Sequence, residues 1–127
     1  YFQDFIEGLD RDYRTKVLDN KCWGYQRMVR KGDFRASGSG AESYIYTDNA
    51  IPDSILKLSF ELTQKLSLKN AAFDFLIAKD KVYLVEVSCF YGFHELEFHV
   101  YWDEQLNFHK EIFNPFGWMI EEALKDI

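Results

Sequence analysis

The sequence predicts an α+β domain, an antiparallel β-sheet of four to five strands with helices packed on one face. Three observations carry this reading. Residues 72–77 and 83–88 both alternate with period 2 about a turn at Lys79-Asp80-Lys81, the pattern of a β-hairpin. Residues 12–18 and 21–30 flank Asp19-Asn20, two residues that tolerate the left-handed backbone of a tight turn. Ile55, Leu58, Leu62 and Leu66 recur at helical spacing within 53–66, and Pro52-Asp53 suit a first turn, so these side chains are the expected core face of a helix.

Composition bounds the rest. A chain of 127 residues is expected to form a single domain, 1–127, that buries roughly two-thirds of its unfolded surface. With 47% hydrophobic and 18% aromatic residues it is globular and not disordered. A net charge of −6 argues against nucleic acid or an anionic membrane as partner. No apolar run is long enough to cross a bilayer as a helix and no signal peptide is visible, so a cytoplasmic protein is expected. Cys22 and Cys89 form no metal or redox motif and are expected as two buried free thiols. The charge is uneven: Arg11, Arg14, Lys16, Lys21, Arg27, Arg30, Lys31 and Arg35 crowd one early segment, which suggests a small anionic ligand.

The remaining elements follow in order. Residues 1–6 read as a short strand or extended crossover. Residues 31–40 form a loop rich in Gly and Ser, whose backbone N–H groups can make an anion nest. Arg27 and Arg35 flank it and suit bidentate contacts to phosphate or carboxylate. No Gly-Lys-Ser/Thr follows, so it is not a Walker A loop, and read alone such a stretch is more often a flexible solvated loop. His94 and His99 are five residues apart, roughly 140° around a helix, which excludes the zincin arrangement. Asn114 to Leu124 reads as a final helix with Trp118, Ile120 and Leu124 as packing residues.

The hairpin carries the chemistry. If it is symmetric about Asp80, Asp74 pairs with Glu86, and parity puts Ser88 on the same face. Two carboxylates directly opposite have Cβ atoms roughly 4.5–5.5 Å apart and repel. A divalent cation is the simplest compensation, since Mg²⁺ is commonly held by one or two carboxylates plus substrate phosphates. The plain alternative is that both carboxylates face water, as strand carboxylates commonly do.

Taken in order, these segments resemble the C-terminal half of an ATP-grasp enzyme. Gln3-Asp4-Phe5-Ile6 is similar to the Q-E-F-I strand of that family, and Asp12-Tyr13-Arg14 to the D-x-R that follows it. Arg27 with Asp33-Phe34-Arg35-Ala36-Ser37-Gly38-Ser39-Gly40 resembles the R…D-F-R-A-N…G-G stretch of the glutamate-ligase and glutathione-synthetase-like branch. Phe73-Asp74-Phe75 and Leu84-Val85-Glu86-Val87-Ser88 resemble its V-D-F…L-E-V-N metal strands, with Ser88 where the family has Asn. Tyr101-Trp102-Asp103-Glu104 and Leu106-Asn107-Phe108-His109 resemble a subgroup associated with surface-polysaccharide biosynthesis.

The resemblance implies a role for each position. Gln3, Asp4, Phe5 and Ile6 would line the adenine pocket, and Asp12 would accept from the ribose hydroxyls. Arg14, Arg27 and Arg35 would hold phosphates or the substrate carboxylate, with Arg27 and Arg35 as the candidate catalytic residues. Ser37, Gly38 and Gly40 would belong to the nucleotide-binding loop. Asp74, Glu86 and Ser88 would bind Mg²⁺. The implied reaction joins a carboxylate to an amine: ATP converts the carboxylate to an acyl phosphate, and the amine displaces phosphate to give an amide. The partners implied are a small-molecule carboxylate, an amine, and an upstream half of the same protein that carries further nucleotide contacts. Without that half the chain is expected to be inactive. A non-catalytic binding module on the same fold is the alternative reading.

Overall fold

The computed structural model describes residues 6–29, 44–93, 95–125 and 127. Its strands are β1 (Arg11–Leu18), β2 (Lys21–Met28), β3 (Tyr44–Ile45), β4 (Asn70–Ala78), β5 (Lys81–Ser88), β6 (Tyr101–Asp103) and β7 (Phe108–His109). Two α-helices, α1 (Asp53–Lys65) and α2 (Pro115–Leu124), accompany them, with a 3₁₀ turn at Glu95–His99. All seven strands join one antiparallel sheet in the order β5-β4-β1-β2-β6-β7, and β3 pairs with β2. The α+β class holds. The strand count exceeds four to five because β3, β6 and β7, two or three residues each, are too short to show a period. The expected strand at 1–6 and the loop at 31–40 lie outside the described residues, apart from Ile6.

Parity on β1 divides the sheet. Tyr13, Thr15 and Val17 face one side with Cys22, Ala71, Phe73, Phe75 and Trp102. Helix α1 covers that side through Ile55, Leu56 and Phe60. Full burial of each such apolar side chain is worth about 1.5–3 kcal/mol. The polar groups inside this layer are paired. Ser59 Oγ donates to Ile55 O, so the Thr15 hydroxyl, 2.8 Å away, donates to Ser59. The core face of α1 therefore includes Ser59 and Thr63, whereas Leu58 and Leu62 only flank it and Leu66 is 49% exposed. Hydrophobicity alone points to the leucine stripe. The helix rotates away from it because the two small hydroxyl residues let it lie closer to the sheet and bond back to their own backbone.

The second helix corrects the expectation that helices pack on one side. Trp118 and Met119 of α2 pack with Leu18, Trp23, Tyr101 and Phe113, which lie on the face opposite α1. Asn114 caps α2, its Oδ1 accepting from the N–H groups of Phe116 and Gly117. Phe113 stacks flat on Trp118 at 4.4 Å between centroids, and Tyr101 meets Trp118 edge-on at 5.2 Å. The irregular aromatic stretch after Ser88 thus builds a second core. Of the packing residues expected in α2, Trp118 fills that role, whereas Ile120 and Leu124 are exposed. Cys22 is buried as expected, but Cys89 is exposed just beyond β5.

The β4–β5 hairpin closes through two residues, Lys79 and Asp80, both with positive φ, and not through three. From that turn the ladder runs Ala78↔Lys81, Ile77↔Val82, Leu76↔Tyr83 and Phe75↔Leu84. A regular continuation would set Val85 opposite Asp74. The register shifts instead, leaving Val85 as the extra residue of a β-bulge, and Asp74 pairs with Glu86. The bulge also changes which side chains share a face: Val82, Leu84 and Val87 lie on the α1 side, while Tyr83, Glu86 and Ser88 lie on the other. β5 is the edge of the sheet, and Tyr83, Leu84, Val85 and Val87 are all partly exposed along it.

Two outcomes follow from this architecture. Gly24 lies against β1, where an added Cβ would meet Arg14 O at 2.1 Å and Thr15 Cα at 2.9 Å, both backbone atoms. Gly24→Ala is expected to destabilise the fold at the upper end of the roughly 1–3 kcal/mol typical of overpacking, read as a lower urea midpoint. The β6–β7 turn depends on Asp103, whose slight burial opposes its charge. Hydrogen bonds from His109, Asn107 and Gln105 outweigh that and pull its carboxyl from 3.8 down to about 2. A depressed carboxyl stabilises the fold above its ordinary value and loses that contribution as pH falls through about 2. Asp103→Asn should therefore flatten the loss of stability across that acid window, measured by urea unfolding at stepped pH.

Candidate functional site

On the face away from α1, the parity that buries Tyr13, Thr15 and Val17 presents Asp12, Arg14 and Lys16. Cross-strand pairing sets Asp12 against Arg27, Arg14 against both Tyr25 and Asp74, and Asp74 against Glu86. Five charged groups from four neighbouring strands thus form one belt across the sheet. The aromatic core of α2 covers the end of this face near the Asp19-Asn20 turn, and the belt lies on the other end.

Arg27 is the most firmly held member. Its Nε and Nη2 donate to the two carboxylate oxygens of Asp12 at 2.7 and 2.6 Å. Burial works against its charge, but the hydrogen bonds and charge of Asp12 override this and raise its pKa. Asp74 stands beside both arginines, with Oδ1 3.3 Å from Arg14 Nε and 3.5 Å from Arg27 Nη2. Burial raises the Asp74 carboxyl above its ordinary value, against the pull of Arg14 and Arg27 and with the repulsion of Asp12 and Glu86. Its ionised form is therefore held at a cost, a condition frequent where function requires it. Asp74 Oδ1 and Arg14 Nε are both buried and make no hydrogen bond.

The sequence-derived positions divide three ways. Asp12, Arg14, Arg27, Asp74 and Glu86 share the belt. Ser88 lies on the same face opposite Ala72, and its hydroxyl donates to Phe90 O at 2.6 Å. Ile6 is half-buried in the segment before β1. Gln3, Asp4, Phe5, Arg35, Ser37, Gly38 and Gly40 lie outside the described residues. The structure modifies the idea that a cation must relieve the Asp74–Glu86 repulsion, because two guanidinium groups already stand against Asp74. Among the described residues, no group of three or more His, Cys, Asp or Glu side chains could hold a metal ion. The smaller donor set of Asp74 and Glu86 still suits a hard cation that takes its remaining ligands from a phosphate and water. The Asp74 Oδ1 that lacks a hydrogen bond is the atom such an ion would satisfy.

Two residues of this face escape a reading of the sequence. Lys16 is 1% exposed, donates to Gly92 O at 2.7 Å and pairs with buried Glu97. Tyr25, Tyr91 and Phe93 surround its ammonium at 5.8, 5.3 and 5.2 Å from their ring centroids. Burial lowers the pKa of Lys16, against the pull of Glu97. These contacts tie Gly92 and Glu97 to β1 beside the belt. The available signal was its parity with Asp12 and Arg14. A lysine between Thr15 and Val17 otherwise reads as a solvated strand residue.

Lys16→Met removes the ammonium that balances Glu97 and is expected to cost about 3–5 kcal/mol. The double variant Lys16→Met with Glu97→Met should recover most of that loss, both read from urea unfolding midpoints.

No protein-family model matches this sequence, and no curated protein matches it.

Proposed function

We propose that this chain supplies one wall of the nucleotide and metal site of an ATP-grasp carboxylate–amine ligase, acting in the synthesis of a surface polysaccharide. The observation that carries the reading is the pairing of Asp74 with Glu86 across a hairpin, on a polar face shared with Arg14 and Arg27. That arrangement supports a site where acidic oxygens meet a cation and guanidinium groups meet phosphate or carboxylate oxygens.

In this reading Asp74 and Glu86 hold Mg²⁺, with Ser88 behind them. Asp12 fixes Arg27 in one orientation, so its guanidinium is positioned before any substrate arrives. The arginines place negative oxygens over the sheet, and α1 and the main core keep that sheet rigid from behind. The family resemblance assigns nucleotide contacts to Gln3 to Ile6, Ser37, Gly38 and Gly40 and a catalytic role to Arg35, all but Ile6 outside the described residues. When bound, Mg²⁺ and ATP supply charge neutralisation and phosphoryl activation of the carboxylate. The acid and the amine are small molecules held partly by a further portion of the same protein.

A second reading has its own support. Two of the three belt carboxylates, Asp12 and Asp74, already face Arg27 and Arg14. A non-catalytic module on the same fold would bind an anionic ligand with these groups and form no product.

The whole protein that carries this chain separates the two. Asp74→Asn and Glu86→Gln are each expected to lower amine-dependent ADP release by about 10²-fold or more, with the fold intact by circular dichroism. Turnover at the unsubstituted rate would refute the metal role. Saturable ligand binding without ADP release would select the non-catalytic module.

A further inference from the structure

The two arginines beside Asp74 are held in different ways. Arg27 is 4% exposed and locked to Asp12 by two short hydrogen bonds. Arg14, with a side chain 22% exposed, has Asp74 as its only ion-pair partner among the described residues. That contact is incomplete. Arg14 Nε and Asp74 Oδ1 are 3.3 Å apart, yet neither makes a hydrogen bond. Asp12 thus anchors one guanidinium, while the other rests on a carboxylate it does not fully satisfy.

We propose that Arg14 is a placeholder cation that occupies Asp74 until a divalent ion takes it. This inference rests on the reading of Asp74 and Glu86 as metal ligands and adds a division of labour between the arginines. Arg27 is the fixed positioning residue. Arg14 competes for the same carboxylate oxygen and withdraws when an ion binds. A carboxylate with a buried oxygen, set opposite a second carboxylate, is costly without a neighbouring positive charge. A divalent ion placed beside a guanidinium that has not moved faces like-charge repulsion at short range. The less buried arginine, paired once among the described residues, is the one able to yield. Its release would free a guanidinium to meet an anionic ligand of the ion.

The test titrates Mn²⁺ alone into the whole protein, following loss of the free-ion signal by electron paramagnetic resonance. Arg14→Ala and Arg14→Gln are expected to bind Mn²⁺ at least about tenfold more tightly than the unsubstituted protein. Arg14→Lys keeps the charge and should stay near the unsubstituted affinity. Asp74→Asn combined with Arg14→Gln should lose the gain. Unchanged or weaker Mn²⁺ binding in both neutral variants, with Asp74→Asn still abolishing binding, overturns the placeholder role and leaves the metal pair standing. Mn²⁺ binding that survives Asp74→Asn with Glu86→Gln overturns the metal pair and the placeholder together. Circular dichroism and the urea midpoint of each variant confirm that the comparison is between folded proteins.

Discussion

The pleat of β1 is the constraint on which the rest depends. Eight residues, Arg11–Leu18, send alternate side chains to opposite sides of the sheet. One set, Tyr13, Thr15 and Val17, builds the layer under α1. The other, Asp12, Arg14 and Lys16, reaches across the far side: Asp12 holds Arg27, Arg14 meets Asp74, and Lys16 holds Gly92 and Glu97. β1 lies centrally, between β4 and β2, so both layers inherit their register from it. A one-residue slip would exchange the sets and drive three charged groups into the apolar layer. Core and belt therefore share one geometric origin.

The polar face is divided along its length. Toward the Asp19-Asn20 turn it is aromatic, with Trp23, Tyr101, Phe113 and Trp118 in mutual ring contact. Toward the other end it is ionic. Lys16 stands at the boundary, its ammonium in an aromatic cage and paired with Glu97. A buried ion pair is a weak source of net stability, since desolvation offsets most of its attraction. Its value here lies in where it places the segment around Gly92. Tyr91 and Phe93 of that segment pack against the aromatic end.

Much of this was legible in the sequence. The two hairpins, the helix at 53–65 and the helix capped by Asn114 follow from period, turn residues and caps. The pairing of Asp74 with Glu86 also followed, although by a route the chain does not take. A symmetric three-residue turn and a two-residue turn with a bulge at Val85 give the same partner, and residue spacing cannot tell them apart. What stayed hidden depends on tertiary contact. Ser59 and Thr63 enter the core because each hydroxyl finds a backbone carbonyl one turn back, a gain invisible to a hydrophobicity pattern. The second core is irregular in sequence because its aromatics come from β2, β6, α2 and the connections between them. The arginine partners of Asp74 come from strands far away in the chain, and no local spacing encodes them.

The irregularity at Val85 has a consequence beyond the carboxylate it presents. Among the described residues β5 ends the sheet with a row of backbone donors and acceptors that no strand pairs, and with several half-exposed apolar side chains. Such a border invites another molecule to extend it. A bulge coils the border strand and breaks the even spacing that a docking strand would have to match. The extra residue thus acts as a built-in guard against fibrous self-association, at the very place where the sheet exposes greasy side chains to water.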